Sequence, residues 1–145
     1  MATQPRVLMP LADGFEETEA IAVVDVLRRA GAEVTTAGVA ARNVVSKNAV
    51  KVEADALLAG VLEQEWEAIV LPGGPGTPKL NEAPGLHERL RRHAGEGRLV
   101  AAICSAPTVL AAACLLDGVE ATCFPGARDG IKGAVLKEQP VVQAG

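Results

Sequence analysis

The sequence predicts an α/β fold: a mostly parallel sheet covered by helices on both faces. Two observations carry that prediction. Strand-like and helix-like patterns alternate along the chain, and several strand-like runs are apolar throughout, which marks strands buried on both sides. At 145 residues and 49% hydrophobic content, the chain is long enough for one domain, residues 1–145, with a substantial core.

The elements follow in order. Val7-Leu8-Met9-Pro10-Leu11 reads as the first strand, punctuated by Ala12-Asp13-Gly14. From Glu16 to Ala30 the pattern is helical, with Ala20, Val23, Val24 and Leu27 as one apolar stripe and Gly31 as the stop signal. Ala32 to Ala37 reads as the second strand. Val44 to Val52 holds β-branched residues around Ser46-Lys47-Asn48, the pattern of a hairpin. Asp55 is placed to cap a short helix through Leu62. Ala68-Ile69-Val70-Leu71 is a buried strand closed by Pro72-Gly73-Gly74-Pro75-Gly76. Leu86 to Ala94 is a polar-faced helix, expected to carry His87 and His93 on its solvated side. Leu99 to Ile103 is a strand, Thr108 to Leu116 a helix, and Val119 to Phe124 a last strand stopped by Pro125. Internal repeats, low-complexity tracts and linkers are absent from the sequence.

Composition excludes several function classes. The net charge is −4, the pI is near 5.2, and basic blocks are lacking, which argues against nucleic acid as a partner. The pairs Arg28-Arg29 and Arg91-Arg92 fall on separate helical patterns and read as solvated faces. No uninterrupted apolar run is long enough to span a bilayer. The first residues do not read as a signal peptide, so a cytosolic location is expected. Three cysteines without CxxC spacing fit a reducing compartment, with neither a disulfide framework nor a zinc site. Aromatic content is 2%, so the core must be built from Val, Leu, Ile and Ala.

In an open parallel sheet, ligands bind beyond the carboxyl ends of the strands. Three features lie there: Glu16-Glu17-Thr18-Glu19 after the first strand, Gly73-Gly74 after Leu71, and Cys104 after Ile103. Cys104 ends a buried strand and precedes an Ala-rich helix. That is the arrangement of a nucleophile elbow, with alanines in place of the usual flanking glycines. Helix-terminal amides above it are expected to favour the thiolate. The N–H groups of Gly73, Gly74 and Ser105 are candidate oxyanion donors. A tight turn ending a strand accounts equally well for the glycine pair.

Carboxylates at Glu16 and Glu17 suit the first turn of a helix. Glu19 borders the apolar stripe. If it points inward it must be paired or protonated, and a protonated carboxyl can donate to the Cys104 thiolate. Cysteine is also a common small core residue, the simpler reading of Cys114 and Cys123. Cys123 has a second reading, as a partner that resolves an oxidised Cys104. No histidine base accompanies Cys104, so a papain-like protease has no support.

These motifs together resemble the ThiJ/PfpI superfamily, in the branch of the Parkinson-associated protein DJ-one and its bacterial relatives. The matching segments are Ala12-Asp13-Gly14-Phe15-Glu16-Glu17-Thr18-Glu19, Val24-Asp25-Val26-Leu27-Arg28-Arg29-Ala30-Gly31, Val70-Leu71-Pro72-Gly73-Gly74 and Ala101-Ala102-Ile103-Cys104-Ser105-Ala106-Pro107. Thr122-Cys123-Phe124-Pro125 resembles the bacterial form of the following strand. The resemblance implies a flavodoxin-like three-layer sandwich and a homodimer. It implies a reactive, oxidation-prone Cys104 with Glu19 as its acid partner, and Gly73, Gly74 and Ser105 lining an oxyanion pocket. Metals and cofactors are not expected.

Two departures stand out. Some relatives carry histidine where this chain has Phe124. Relatives also continue past the position of Gly145 with another strand and a closing helix, so a shortened sheet edge and a less secure dimer are expected. Two functions follow from the resemblance. One is a glyoxalase or deglycase, acting on methylglyoxal or early glyoxal adducts through Cys104 and Glu19. The other is a redox-sensing stress protein or chaperone controlled by oxidation of Cys104.

Overall fold

The computed structural model describes residues 3–145. In chain order the elements are β1 (Arg6–Leu11), α1 (Glu17–Arg29), β2 (Glu33–Gly38), β3 (Asn43–Val45), β4 (Lys51–Glu53), β5 (Ala56–Leu57) and α2 (Leu58–Val61). Then come β6 (Ala68–Leu71), α3 (Thr77–Asn81), α4 (Leu86–Gly95), β7 (Leu99–Ala102), α5 (Pro107–Ala112), β8 (Glu120–Ala121), a 3-10 helix (Pro125–Ile131) and β9 (Val135–Leu136). The central sheet has the order β5-β2-β1-β6-β7, and every neighbouring pair in it is parallel. β3 and β4 form the expected antiparallel hairpin.

Strand periodicity builds the three layers. Successive side chains of a strand point to opposite faces. On β1, Leu8 joins a cluster with Leu58, Trp66, Leu80, Leu90 and Val109 from α2 to α5 and their connections. Its neighbours Val7, Met9 and Leu11 join Phe15, Ala20, Val24 and Val44 on the other face, beneath α1 and the hairpin. On β6, Ile69 and Leu71 belong to the first cluster and Ala68 to the second. The flavodoxin-like α/β architecture read from the sequence is therefore the one formed.

α1 begins and ends as its sequence requires. The Glu16 side chain accepts from the Glu19 amide at 2.9 Å, capping the helix. At the other end Gly31 takes a φ of 93°. Its N–H donates to the Arg28 carbonyl, and the Ala32 N–H donates to the Leu27 carbonyl, the paired bonds of a Schellman stop.

Several elements differ from their sequence reading. Asp55 does not cap a helix. Its carboxylate accepts from the Thr36 amide at 2.9 Å and hydroxyl at 3.0 Å and pairs with Arg28, tying the β4–β5 junction to β2. α5 ends at Ala112, four residues short of Leu116, because Cys114 adopts a φ of 63°. The Cys114 amide donates to the Ala111 carbonyl and the Leu115 amide to the Leu110 carbonyl, so a cysteine occupies the left-handed stop usually given to glycine. The strand expected over 119–124 shrinks to Glu120–Ala121, which pairs with β9 outside the main sheet. Thr122-Cys123-Phe124 instead crosses the end of β7, where the Phe124 amide donates to the Cys104 carbonyl at 2.8 Å. β7 is left as one edge of the central sheet, with Leu99 and Ile103 exposed.

The histidines also depart from expectation. His87 is half-buried and bonded to Asn81. His93 is fully buried, with Nε2 3.1 Å from the Leu99 carbonyl oxygen. That carbonyl can only accept, so Nε2 carries the proton in the neutral ring, and Nδ1 is buried without a partner. Burial, reinforced by the nearby Arg89 and Arg98 charges, pushes the His93 pKa down.

Two expectations follow. Cys114→Gly relieves a side chain held at positive φ and should stabilise the fold by about 1 kcal/mol, read as a higher urea midpoint at unchanged m-value. The native state binds a proton at His93 less readily than the unfolded chain. The stability due to His93 is thus complete above the unfolded-state value, about 6.5, and is lost as pH falls through it. Urea titrations between about pH 7 and about pH 5 should show this loss in the wild type and a flatter profile in His93→Leu.

Candidate active site

The carboxyl ends of β1, β6 and β7 bring Glu19, Gly73 and Cys104 together. Glu19 sits in the first turn of α1, half-buried, and its Oε2 accepts from the Gly73 amide at 3.2 Å. Cys104 occupies the corner between β7 and α5 with a φ of 62°. A non-glycine residue there is strained by about 1–2 kcal/mol, a cost the surroundings must impose. Here they do so through the Ala106 amide to the Ile103 carbonyl and the Phe124 amide to the Cys104 carbonyl.

Gly73 is the wedge between the two functional side chains. A Cβ built on it would lie 2.8 Å from the Cys104 Cβ and 3.1 Å from Glu19 Oε2. Only hydrogen fits, so the absence of a side chain at 73 is what lets the carboxylate stand beside the thiol. Gly74, at φ 104°, packs just as tightly against the backbone of residues 14–16.

The glycine N–H groups are already engaged. Gly73 donates to Glu19, and Gly74 donates to Ser105 Oγ at 3.2 Å. Ser105 Oγ is also 2.8 Å from Thr77 Oγ1, which bonds the Gly74 carbonyl in turn. Of the groups read from the sequence as oxyanion donors, Ser105 is the one that favours the Cys104 anion, through its amide and its hydroxyl. That contribution is outweighed. Burial first, and the adjacent Glu19 carboxylate second, push the Cys104 thiol above its ordinary range. The expectation that helix-terminal amides hold a ready thiolate is therefore corrected. α5 does not aim a row of free amides at the sulfur, and a carboxylate faces it instead. A thiol of this kind needs a local base to become a nucleophile, and Glu19 is in position to be one.

A cavity of about 270 Å³ opens at the Cys104 corner, lined by Ile103, Cys104, Thr122, Cys123, Phe124 and Gln139 among others. All three cysteines are free thiols. Among the described residues no cluster of three or more His, Cys, Asp or Glu could hold a metal, and no helix is long and apolar enough to cross a membrane.

The DJ-1/PfpI family profile matches residues 5–145. This chain belongs to the DJ-1/PfpI family. The resemblance read from its motifs is borne out. Protein DJ-1 homolog B of Arabidopsis thaliana is 42% identical over 125 residues, 83% of this chain but 28% of its own length. The Parkinson disease protein 7 homolog of Danio rerio is 40% identical over 127 residues, 86% of this chain and 67% of its own. The crystal structure of Drosophila melanogaster DJ-1beta superimposes with a TM-score of 0.92 at 35% identity, covering 97% of this chain and 77% of that one. Two relatives bear enzymatic names. The glutathione-independent glyoxalase DJR-1.2 of Caenorhabditis elegans is 39% identical over 73% of this chain and 56% of its own. A deglycase of Pyrococcus abyssi is 35% identical over 89% of this chain and 78% of its own.

Sequence reading of this DJ-1/PfpI chain misses Thr77, which is buried and anchors the Ser105 hydroxyl. Its one signal is its place just after the glycine loop, at the start of α3. It also misses Gln139, whose place at the cavity comes from an irregular segment and leaves no mark in the sequence.

Gly73→Ala should force Cys104 and Glu19 apart, lowering stability by about 1–3 kcal/mol and changing the rate of Cys104 alkylation by iodoacetamide. Gly60→Ala, where an added Cβ meets nothing within 4 Å, should leave alkylation unchanged.

Proposed function

We propose that this chain is a glyoxalase or deglycase that isomerises 2-oxoaldehydes, or their early adducts on protein side chains, through Cys104 and Glu19. The observation that carries the reading is the carboxylate beside the thiol, held across Gly73, with Cys104 also lining a cavity.

The chemistry runs in balanced steps. Glu19 takes the thiol proton as sulfur attacks the aldehyde carbon of methylglyoxal. A C–S bond forms as the carbonyl π bond opens, and Glu19 passes the proton on to the oxygen, giving the hydroxyl of a hemithioacetal and leaving the carboxylate free to act again. The Ser105 amide steadies the developing oxyanion in this scheme. Glu19 then moves the proton from the first carbon to the second through an enediol, leaving a thioester of lactate on Cys104. Water cleaves the thioester, and lactate and the free thiol are released. The aldehyde carbon is oxidised while the ketone carbon is reduced, so the net reaction consumes one water and transfers no electrons to an outside carrier. A glycated side chain enters as the hemithioacetal or aminocarbinol of the same aldehyde; its C–S or C–N bond breaks, the side chain leaves with the carbinol hydroxyl's proton, and the Cys104 sulfur attacks the carbonyl so freed. The relatives named glyoxalase and deglycase support this substrate class.

One observation favours a second reading, redox sensing at Cys104. Phe124 lies at the cavity with its ring more than half exposed and supplies no proton-transfer group. All proton movement then falls to Glu19, a slower arrangement for turnover but no obstacle to oxidation of sulfur.

The deciding assay is lactate formation from methylglyoxal by purified protein. Cys104→Ser should abolish it, and Glu19→Gln should reduce kcat by about 10²-fold or more. A folded wild type that forms no more lactate than Cys104→Ser would sink the enzymatic reading.

A further inference from the structure

Cys123 is a second thiol at the site, and the proposed reaction leaves it unused. It lines the same cavity as Cys104. The amide joining Cys123 to Phe124 donates to the Cys104 carbonyl at 2.8 Å. That bond puts the main chains of the two segments in direct contact. The disulfide requires the two Cα atoms to stand about 4.4–6.8 Å apart. Cys114 offers no such route, because it is exposed at the far end of α5 and is not among the cavity residues. Burial pushes the Cys123 thiol up, an effect that the positive charge of Arg128, in the 3-10 helix just beyond, offsets only in part.

We infer that Cys123 is the resolving thiol of Cys104: on oxidation by a hydroperoxide, the two form an intramolecular disulfide across the cavity. In the first step the Cys104 thiolate attacks a peroxide oxygen. The O–O bond breaks, an S–O bond forms, and Cys104 becomes a sulfenic acid as the peroxide is reduced. In the second step Cys123 sulfur attacks the sulfenic sulfur. The S–S bond forms, the S–O bond breaks, and hydroxide leaves with the Cys123 proton as water. With hydrogen peroxide, two thiols and one peroxide give one disulfide and two waters. A dithiol reverses the change. The pair thereby protects Cys104 from the irreversible step to sulfinic acid, and while closed it removes the nucleophile from the cavity. This inference shares with the enzymatic reading only the accessibility of Cys104 sulfur.

The test is peptide mapping after hydrogen peroxide treatment of the full chain, with no aldehyde present. Free thiols are alkylated in denaturant, and the chain is cut with trypsin and Asp-N. Trypsin alone leaves all three cysteines on Leu99–Arg128. Cleavage before Asp117 separates Leu99–Leu116, with Cys104 and Cys114, from Asp117–Arg128, with Cys123. In wild type and in Cys114→Ser the two peptides should be linked within one chain and released by dithiothreitol. In Cys123→Ser, Cys104 should proceed to sulfinic acid. Wild type that carries Cys104 sulfinic acid beside an alkylatable Cys123 overturns the inference. So does wild type with both thiols still free, a bond between two chains, or a link lost in a folded Cys114→Ser. Lactate formation by the reduced protein is measured separately, so either idea can fail while the other stands.

Discussion

The site depends on a contact in which there is no room for side chains. The loop after β1 and the loop after β6 meet backbone to backbone. The Glu16 amide donates to the Gly73 carbonyl, and the Gly76 amide to the Gly14 carbonyl, both at 2.9 Å. A Cβ on Gly74 would stand 2.6 Å from the Glu16 nitrogen, and one on Gly76 would stand 2.4 Å from the Asp13 carbonyl oxygen. The glycines of Pro72-Gly73-Gly74-Pro75-Gly76 are thus spent on proximity more than on flexibility. This contact fixes where α1 starts, and so where Glu19 points. The hairpin is tied to the same place: the Gly14 amide donates to the Val45 carbonyl, and the Val45 amide donates to Asp13. Three segments distant in sequence therefore converge before any reactive group is considered.

On that frame the reactive pair is a compromise between burial and reach. Burial disfavours the anion of Cys104, yet the residue lines a cavity of about 270 Å³. Glu19 disfavours the anion further while the carboxylate is charged, and it is the group that can accept the proton when sulfur reacts. The positive φ at Cys104 is sustained by the peptide bonds around it. It turns the side chain out of the strand direction and into this shared space.

Much of this arrangement is legible in the sequence, for identifiable reasons. Apolar runs separated by amphipathic stretches specify parallel strands and their helices, because strands buried on both faces tolerate nothing else. The convergence of Glu19, Gly73 and Cys104 follows from parallelism alone, since all three stand just after a strand. What escaped was decided by single hydrogen bonds or by tertiary burial. His93 looks solvated on a helix rich in arginine, but it lies one turn after Arg89 on the side facing β7, and both are buried. Asp55 has the right spacing to cap a helix, but Thr36 and Arg28 claim its carboxylate. α5 stops early because Cys114 adopts a conformation seldom seen outside glycine. The glycine amides look free in a sequence, and only the fold shows Glu19 and Ser105 already holding them.

The segment after α5 carries a larger share of the chemistry than its regular structure suggests. Its strands β8 and β9 are two residues each and pair only with one another, so they add nothing to the central ladder. Yet Thr122, Cys123 and Phe124 wall the cavity, and the Phe124 amide holds the carbonyl of the strained corner. β7, as an edge strand, lacks a neighbour in the sheet to do this. The corner geometry at Cys104 is therefore coupled to the placement of Cys123. A shift in one segment moves both the nucleophile and its cavity wall. Chemistry that joins the two sulfurs acts on the same contact that holds the elbow in shape, which links the redox state of the pair to the geometry of the nucleophile.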